Sequence, residues 1–246
     1  MLEIMRMESD PQPDSTLVLA IDTCGNTGTV ALGKRAGERC EVLGQRELEG
    51  RSYSTTLVPA VSDLLASAAV AKPASILAVN GPGSFTGVRL GMSAVKGLAE
   101  AWQVPVFAVS RLEVMAAKAG VGSAAQDAHR QEVFLRVAVP STEAHELLAG
   151  APELAEIEIR PERVAVCDDK ASALLQAVWP AVEQVRIEPP TAADALVLCA
   201  QRMAAGESED LALLDGYYLR RSDAEIFGDG LGQGAGSRPV QAPGKP

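Results

Sequence analysis

Histidine and aromatic residues are scarce in this chain of 246 residues: Phe, Trp and Tyr together make up 4%, and the only histidines are His129 and His145. Those two lie too far apart for paired ligands on one helix face, which excludes a zinc-peptidase centre. The four cysteines, Cys24, Cys40, Cys167 and Cys199, form no C-x-x-C pair. A zinc cluster or dithiol redox motif is therefore excluded, and the thiols read as small buried hydrophobes. No run of Lys or Arg exceeds two residues, and 32 acidic against 22 basic residues leave a formal net charge of −10. Autonomous nucleic-acid binding needs a clustered basic surface making roughly 6–10 phosphate contacts, so any RNA would have to be held by another subunit. No apolar run approaches the roughly 20 residues of a membrane helix. The opening MLEIMRMESDPQPDS is acidic and contains proline, unlike a signal peptide, and the expected compartment is the cytoplasm.

Hydrophobic residues make up 47% of the chain. With so few aromatics, this composition implies an aliphatic, alanine-rich α/β interior, in one large domain or two small ones. Short apolar runs at Leu17–Ile21 and Thr29–Leu32 flank Asp22-Thr-Cys-Gly-Asn-Thr-Gly28 and read as a hairpin, with a third strand over Cys40–Leu48. Leu57, Val58, Val61, Leu64, Leu65, Ala68 and Ala69 recur at helical spacing, predicting a helix from Ser54 to Val70. Thr55 or Thr56 as N-cap would place Pro59 in its first turn, where the missing N–H is harmless. A strand over Ile76–Val79, a helix over Val88–Trp102 and a strand over Val104–Val109 complete a βββαβαβ order. Hairpin strands followed by alternation predict a mixed sheet covered by helices. Further on, strands are expected at Glu132–Val139 and Arg163–Cys167 and helices at Ala171–Val178 and Ala192–Ala205. Tyr217–Arg220 closes the fold and a Gly/Pro-rich tail follows.

The strongest local feature is Asn80-Gly-Pro-Gly-Ser-Phe-Thr-Gly-Val-Arg-Leu-Gly91, a glycine turn between strand and helix. Such a turn places free N–H groups and a helix dipole at one point, a generic anion site. The spacing matches neither a P-loop nor G-x-G-x-x-G, and Ser84 is not in a G-x-S-x-G elbow. In the helix that follows, Arg89, Ser93, Lys96 and Glu100 form one narrow polar stripe. The remaining apolar arc is wider than one packing surface requires, so this helix is expected to be buried on two sides. The second side packs on the preceding helix or on a partner, whose backbone Gly87 and Gly91 would admit.

The segment Gly81-Pro-Gly-Ser-Phe-Thr-Gly87 followed by Arg89 resembles the hallmark of the TsaB (YeaZ) family. Leu19-Ala-Ile-Asp-Thr23 with Val30-Ala-Leu32, Ser54–Val61, Asp127–Phe134 and Tyr218-Leu-Arg220 resemble further family segments in the same order. The likeness is dense through Leu112 and sparse afterwards. Tyr53 stands where the family has His, His129 replaces an Arg, and Cys24 a Ser or Ala.

The resemblance implies an α/β actin-like (ASKHA, ribonuclease-H-like) fold: a duplicated mixed sheet with helices and a degenerate second half. The corresponding division is a leader over 1–15, subdomains over 16–112 and 113–221, and a tail over 222–246. It further implies a non-catalytic subunit that binds no metal. A larger TsaD-like paralogue transfers threonylcarbamoyl to the adenosine beside the tRNA anticodon, and a TsaE-like ATPase joins the pair. Contact through the first two helices places Leu57, Val61, Leu64, Gly83, Ser84, Phe85, Thr86, Gly87, Arg89, Gly91 and Val95 at the partner interface. The isolated chain would form a homodimer, tRNA would be reached only through the complex, and ATP or ADP could sit at the partner junction. The rival reading is an actin-like ATP-dependent phosphotransferase. In it Asp22 and Thr23 are the candidate nucleotide contacts, set against a turn-forming role. The further phosphate and adenosine loops that such an enzyme needs are not found in the second half.

Overall fold

The computed structural model describes residues 16–49, 52–140 and 143–220. The leader expected over 1–15 and the tail over 222–246 lie outside the described residues. The first half runs β1 (Thr16–Asp22), β2 (Thr27–Ala36), β3 (Arg39–Glu49), α1 (Tyr53–Ser67), β4 (Ser75–Val79), α2 (Phe85–Trp102), β5 (Val106–Val109) and α3 (Arg111–Lys118). The second runs β6 (Ser123–Asp127), β7 (Glu132–Val137), β8 (His145–Gly150), α4 (Ala151–Glu156), β9 (Arg163–Val166), α5 (Asp169–Val178), β10 (Glu183–Arg186) and α6 (Ala192–Leu198). The short α7 (Ala200–Ala205) follows.

The two sheets have the same topology. The first is ordered β3-β2-β1-β4-β5 and the second β10-β9-β6-β7-β8. In each, the three opening strands pair antiparallel and the last two join in parallel beside the first. Parallel neighbours require crossover connections, which the helices supply. The second copy is shortened: α4 has 6 residues against 15 in α1, and α5 has 10 against 18 in α2. Each half lends a helix from near its end to the other. α3 packs on β6, β7 and β9, and α6 covers β1, β2 and β3. Ala192, Ala195 and Leu196 thereby complete the first core, so the unit built on the first sheet is not contiguous in sequence.

β1 and β4 are buried along nearly their whole length, as strands covered on both faces must be. On β3, Gly44 faces Leu64 of α1, while the neighbouring Gln45 accepts a bond from the Ala193 N–H of α6. Alternate residues thus meet opposite layers. The start of α1 differs from expectation. The carbonyl of Ser52 accepts from the backbone N–H and the hydroxyl of both Thr55 and Thr56, so the helix begins at Tyr53 and Pro59 lies inside it. The helix expected over 192–205 breaks at Cys199 into α6 and α7.

Candidate functional site

The hairpin turn after β1 and the glycine turn after β4 press against each other at the carboxyl ends of their strands. Ser84 N–H donates to the Cys24 carbonyl at 2.8 Å, and the Thr23 hydroxyl donates to the Gly87 carbonyl at 2.7 Å. A Cβ built on Gly83 would overlap the carbonyl oxygen of Cys24, one on Gly87 the carbonyl oxygen of Thr23, and one on Gly91 the Thr23 hydroxyl. At Gly87 and Gly91 the close approach expected from the sequence is met within the chain. Gly87 admits the backbone of the chain's own β1–β2 turn and Gly91 the Thr23 side chain of that turn. Gly81, with φ of +127° and the Tyr217 carbonyl oxygen crowding the place of a Cβ, leaves no room for a side chain either. Ser84 is the N-cap of α2, its hydroxyl accepting from Gly87 N–H at 3.3 Å.

Beneath these turns lies an ion pair that sequence reasoning missed. Asp22 is 1% exposed and Arg111, the first residue of α3, is 4% exposed; the Arg111 Nη1 donates to Asp22 Oδ2. The other Asp22 oxygen accepts from Cys24 N–H at 2.9 Å. Arg111 Nε donates to Gln126 Oε1 at 3.3 Å, and Gln126 Nε2 donates to the Pro82 carbonyl at 3.1 Å. One connected network therefore joins β1, α3, β6 and the glycine turn. Burial works against the charge on Arg111, but Asp22, Cys24 and Cys167 outweigh it and hold the guanidinium above its ordinary value. Asp22 and Thr23, the candidate nucleotide contacts, lie within this internal network. Each is buried and bonded to the chain itself.

Tyr53 braces the same turn from the other side. Its ring lies where a Cβ on Gly28 would stand, and its hydroxyl donates to the Gly25 carbonyl at 3.0 Å. Burial, with Asp22 next, pushes its phenol up to about 12. Above the network a cleft of about 820 Å³ opens between the halves. Its walls come from the β1–β2 turn, the glycine turn, the β6–β7 hairpin, Cys167–Asp168 and Tyr217–Arg220. The charged groups there are already engaged. Asp168 accepts from the backbone N–H of Asp127 and Ala171, Asp127 pairs with His129 and Lys170 at 3.2 Å, and Arg220 pairs with Glu132. No group of His, Cys, Asp and Glu among the described residues has the arrangement of a metal site.

Most of the expected interface residues sit inside rather than outside. Leu57, Val61, Leu64 and Val95 are 1–2% exposed and pack in the first core, and Gly87 and Gly91 are buried. The periodicity that singled them out marks the core face of each helix. Gly83 is half-buried; Ser84, Phe85, Thr86 and Arg89 are exposed. The Arg89 guanidinium lies 4.0 Å over the Phe85 ring, and that ring meets Tyr218 at 5.3 Å. Beyond the expected set, the outer surfaces present Val58, Pro59 and Ser62 on α1 and Gly97 and Ala101 on α2.

All four thiols are free. Burial pushes Cys40 up to about 11 and Cys199 up to about 12, and burial, then Asp22, raises Cys24 well above the ordinary range. Because the thiolate is the nucleophile, native protein in mildly alkaline iodoacetamide is expected to react slowly at half-buried Cys40 and Cys167. Cys24 and Cys199 should stay unmodified until denaturant is added. Peptide mass spectrometry reads the order, and early labelling of Cys24 would contradict this burial.

Two copies of one mixed sheet, exchanged helices and an inter-lobe cleft define an actin-like, ribonuclease-H-like α/β protein, here with the cleft floor closed by an internal ion pair. The structure of YeaZ from Pseudomonas aeruginosa is similar, with a TM-score of 0.66 and 28% identity over 83% of this chain and 100% of that one. The chain belongs to the TsaB (YeaZ) family. A family model described as TsaD, tRNA N6-adenosine threonylcarbamoyltransferase, matches residues 45–141. The tRNA threonylcarbamoyladenosine biosynthesis protein TsaB of Bacillus subtilis is 35% identical over 123 residues, which are 48% of this chain and 52% of that protein. An uncharacterized protein of Mycobacterium bovis is 31% identical over 58% of this chain and 76% of its own length. The chain thus matches about half the length of the Bacillus relative.

Proposed function

We propose that this chain acts in tRNA threonylcarbamoyladenosine biosynthesis as a non-catalytic scaffold that pairs with a larger TsaD-like paralogue. The observation that carries this reading is the Asp22–Arg111 pair. A carboxylate that must hold a metal-bound phosphate has to present its oxygens to the cleft, whereas both oxygens of Asp22 are bonded beneath it. That arrangement weighs against the phosphotransferase alternative. Pairing would use the outer surfaces of α1 and α2, where Val58, Pro59, Gly97 and Ala101 are exposed and have little side-chain entropy to lose on association. Phe85, with Arg89 over its ring and Tyr218 tilted against it, would be the aromatic anchor at the edge of that surface. A TsaE-like ATPase and tRNA would join through the complex, and ATP or ADP would sit at the junction of the two chains rather than on Asp22.

Size-exclusion chromatography with light scattering, on this chain alone and mixed with the larger paralogue of the same genome, tests the reading. A homodimer that converts to a stoichiometric mixed complex is expected. Gly97→Glu should weaken that complex at least about tenfold, a loss of about 1.4 kcal/mol. The fold should survive, because nothing lies within 4 Å of the Cβ position and Glu is the better helix former. Separate elution of the two chains with and without ATP would overturn pairing and turn attention to ATP hydrolysis.

A further inference from the structure

Tyr217, Tyr218, Leu219 and Arg220 all line the 820 Å³ cleft, and in four steps they cross it from one half to the other. The Tyr217 N–H donates to the Asn80 carbonyl at 2.7 Å, at the head of the glycine turn. The Tyr218 ring lies 5.3 Å from that of Phe85 at the start of α2. It folds over Gly216, where a Cβ would meet both this ring and Val88 of α2. Leu219 packs against the core cluster that joins α3 to β6, β7 and β9. Arg220 Nη2 donates to Glu132 Oε2 and, at 3.5 Å, to the His129 carbonyl. The side chains of Arg220 and Glu132 are 21% and 34% exposed, so this is not one of the freely solvated surface pairs that contribute little.

The two groups that Arg220 grips flank a strained turn. Five non-glycine residues have positive φ among the described residues. Ala69 and Gln103 stand singly at the ends of α1 and α2, where a left-handed residue is ordinary. The other three are consecutive between β6 and β7: His129 at +63°, Arg130 at +54° and Gln131 at +62°. A Cβ crowds the backbone in this conformation, which persists only where its surroundings hold it. Part of the restraint is local. The Ala128 N–H donates to the Glu132 carbonyl at 2.9 Å, the Glu132 N–H to the His129 carbonyl at 3.0 Å and the His129 N–H to Asp127 Oδ1 at 2.9 Å. Arg220 adds a restraint from outside the hairpin and bridges both ends of the turn.

We propose that Tyr217–Arg220 is a strap that keeps the cleft mouth closed by holding the β6–β7 turn in its left-handed form, and that the grip of Tyr218 on Phe85 sets how readily Arg220 lets go. Freed of Arg220, the three residues relax toward ordinary turn geometry, and the wall that His129 and Arg130 give the cleft changes shape. The inference concerns the chain alone and does not rest on the pairing reading.

Hydrogen exchange at the Ala128 and Glu132 amides, read by NMR on the full chain, tests it, with the amides of β1 and β4 as the measure of global opening. Arg220→Gln is expected to speed exchange at both turn amides about tenfold, the scale of one left-handed residue no longer held, while β1 and β4 keep wild-type rates. Tyr218→Ala should do the same from the other end of the strap, whereas Tyr218→Phe keeps the ring and should match wild type. Gln131→Gly replaces an exposed side chain and relieves strain without touching the strap. In that background Arg220→Gln should have little effect, a non-additivity that a merely local contact does not produce. Wild-type rates at both turn amides in Tyr218→Ala would overturn the proposal, as would an equal effect of Arg220→Gln with and without Gln131→Gly. Equal acceleration in β1 and β4 would assign the four residues to global stability and overturn it as well.

Discussion

Gly87→Ala is expected to lower stability by about 3 kcal/mol, the upper end for overpacking, because the added methyl meets a backbone carbonyl rather than a side chain that can turn away. For a chain of this size each kcal/mol moves the melting temperature by roughly 2–4 °C, so a fall of about 6–12 °C is expected. Gly97→Ala in the same helix is the control. Its Cβ position is open, and helix propensity favours alanine by about 1 kcal/mol. Thermal denaturation of the two variants side by side decides the matter. Equal melting temperatures would show that the β1–β2 turn does not press on α2 as described.

Asp22→Asn and Arg111→Met should each cost about 3–5 kcal/mol, since each leaves one buried charge without its partner. The double variant should cost less than the sum of the two and can fall below either single one, because replacing both members of a buried pair with uncharged groups removes the desolvation penalty as well as the attraction. Urea denaturation of wild type, both single variants and the double variant gives the coupling directly. Additive losses would show that the pair is not an energetic unit and would leave the closed cleft floor unsupported. Loss of the pair should also loosen Gln126 from the glycine turn, because Arg111 Nε holds the amide that donates to Pro82.

Much of the first half was legible because its elements are long and their patterns do not conflict. β1 and β4 are unbroken apolar runs, and α1 and α2 carry apolar residues at helical spacing. The second half was harder. β6 reads Ser-Ala-Ala-Gln-Asp, with no branched or aromatic residue to mark it as a strand, and α3 and α5 pack on it. β8, His-Glu-Leu-Leu-Ala-Gly, has the composition of a helix and becomes a strand only by pairing with β7. α3 has just 8 residues, too few to establish a periodicity.

At the site, the residues were visible and their partners were not. Periodicity identifies which residues of α1 and α2 are apolar, and core burial claims those first. The exposed set that a partner could meet is what remains on the other side. Glycine spacing likewise announces that something comes close without saying what.

The sequence by itself determined the family, the duplicated α/β class and the glycine turn with its helix, because these depend on local pattern and on residues adjacent in the chain. Only the tertiary structure decided what that turn touches and that Asp22 is matched by Arg111. The residues Asp22 and Arg111 are separated by 89 positions, and nothing in the chain between them encodes that they meet. Their contact follows from α3 closing the first sheet's half while packing on β6, β7 and β9, and a buried charge finds its partner only once that packing has excluded water.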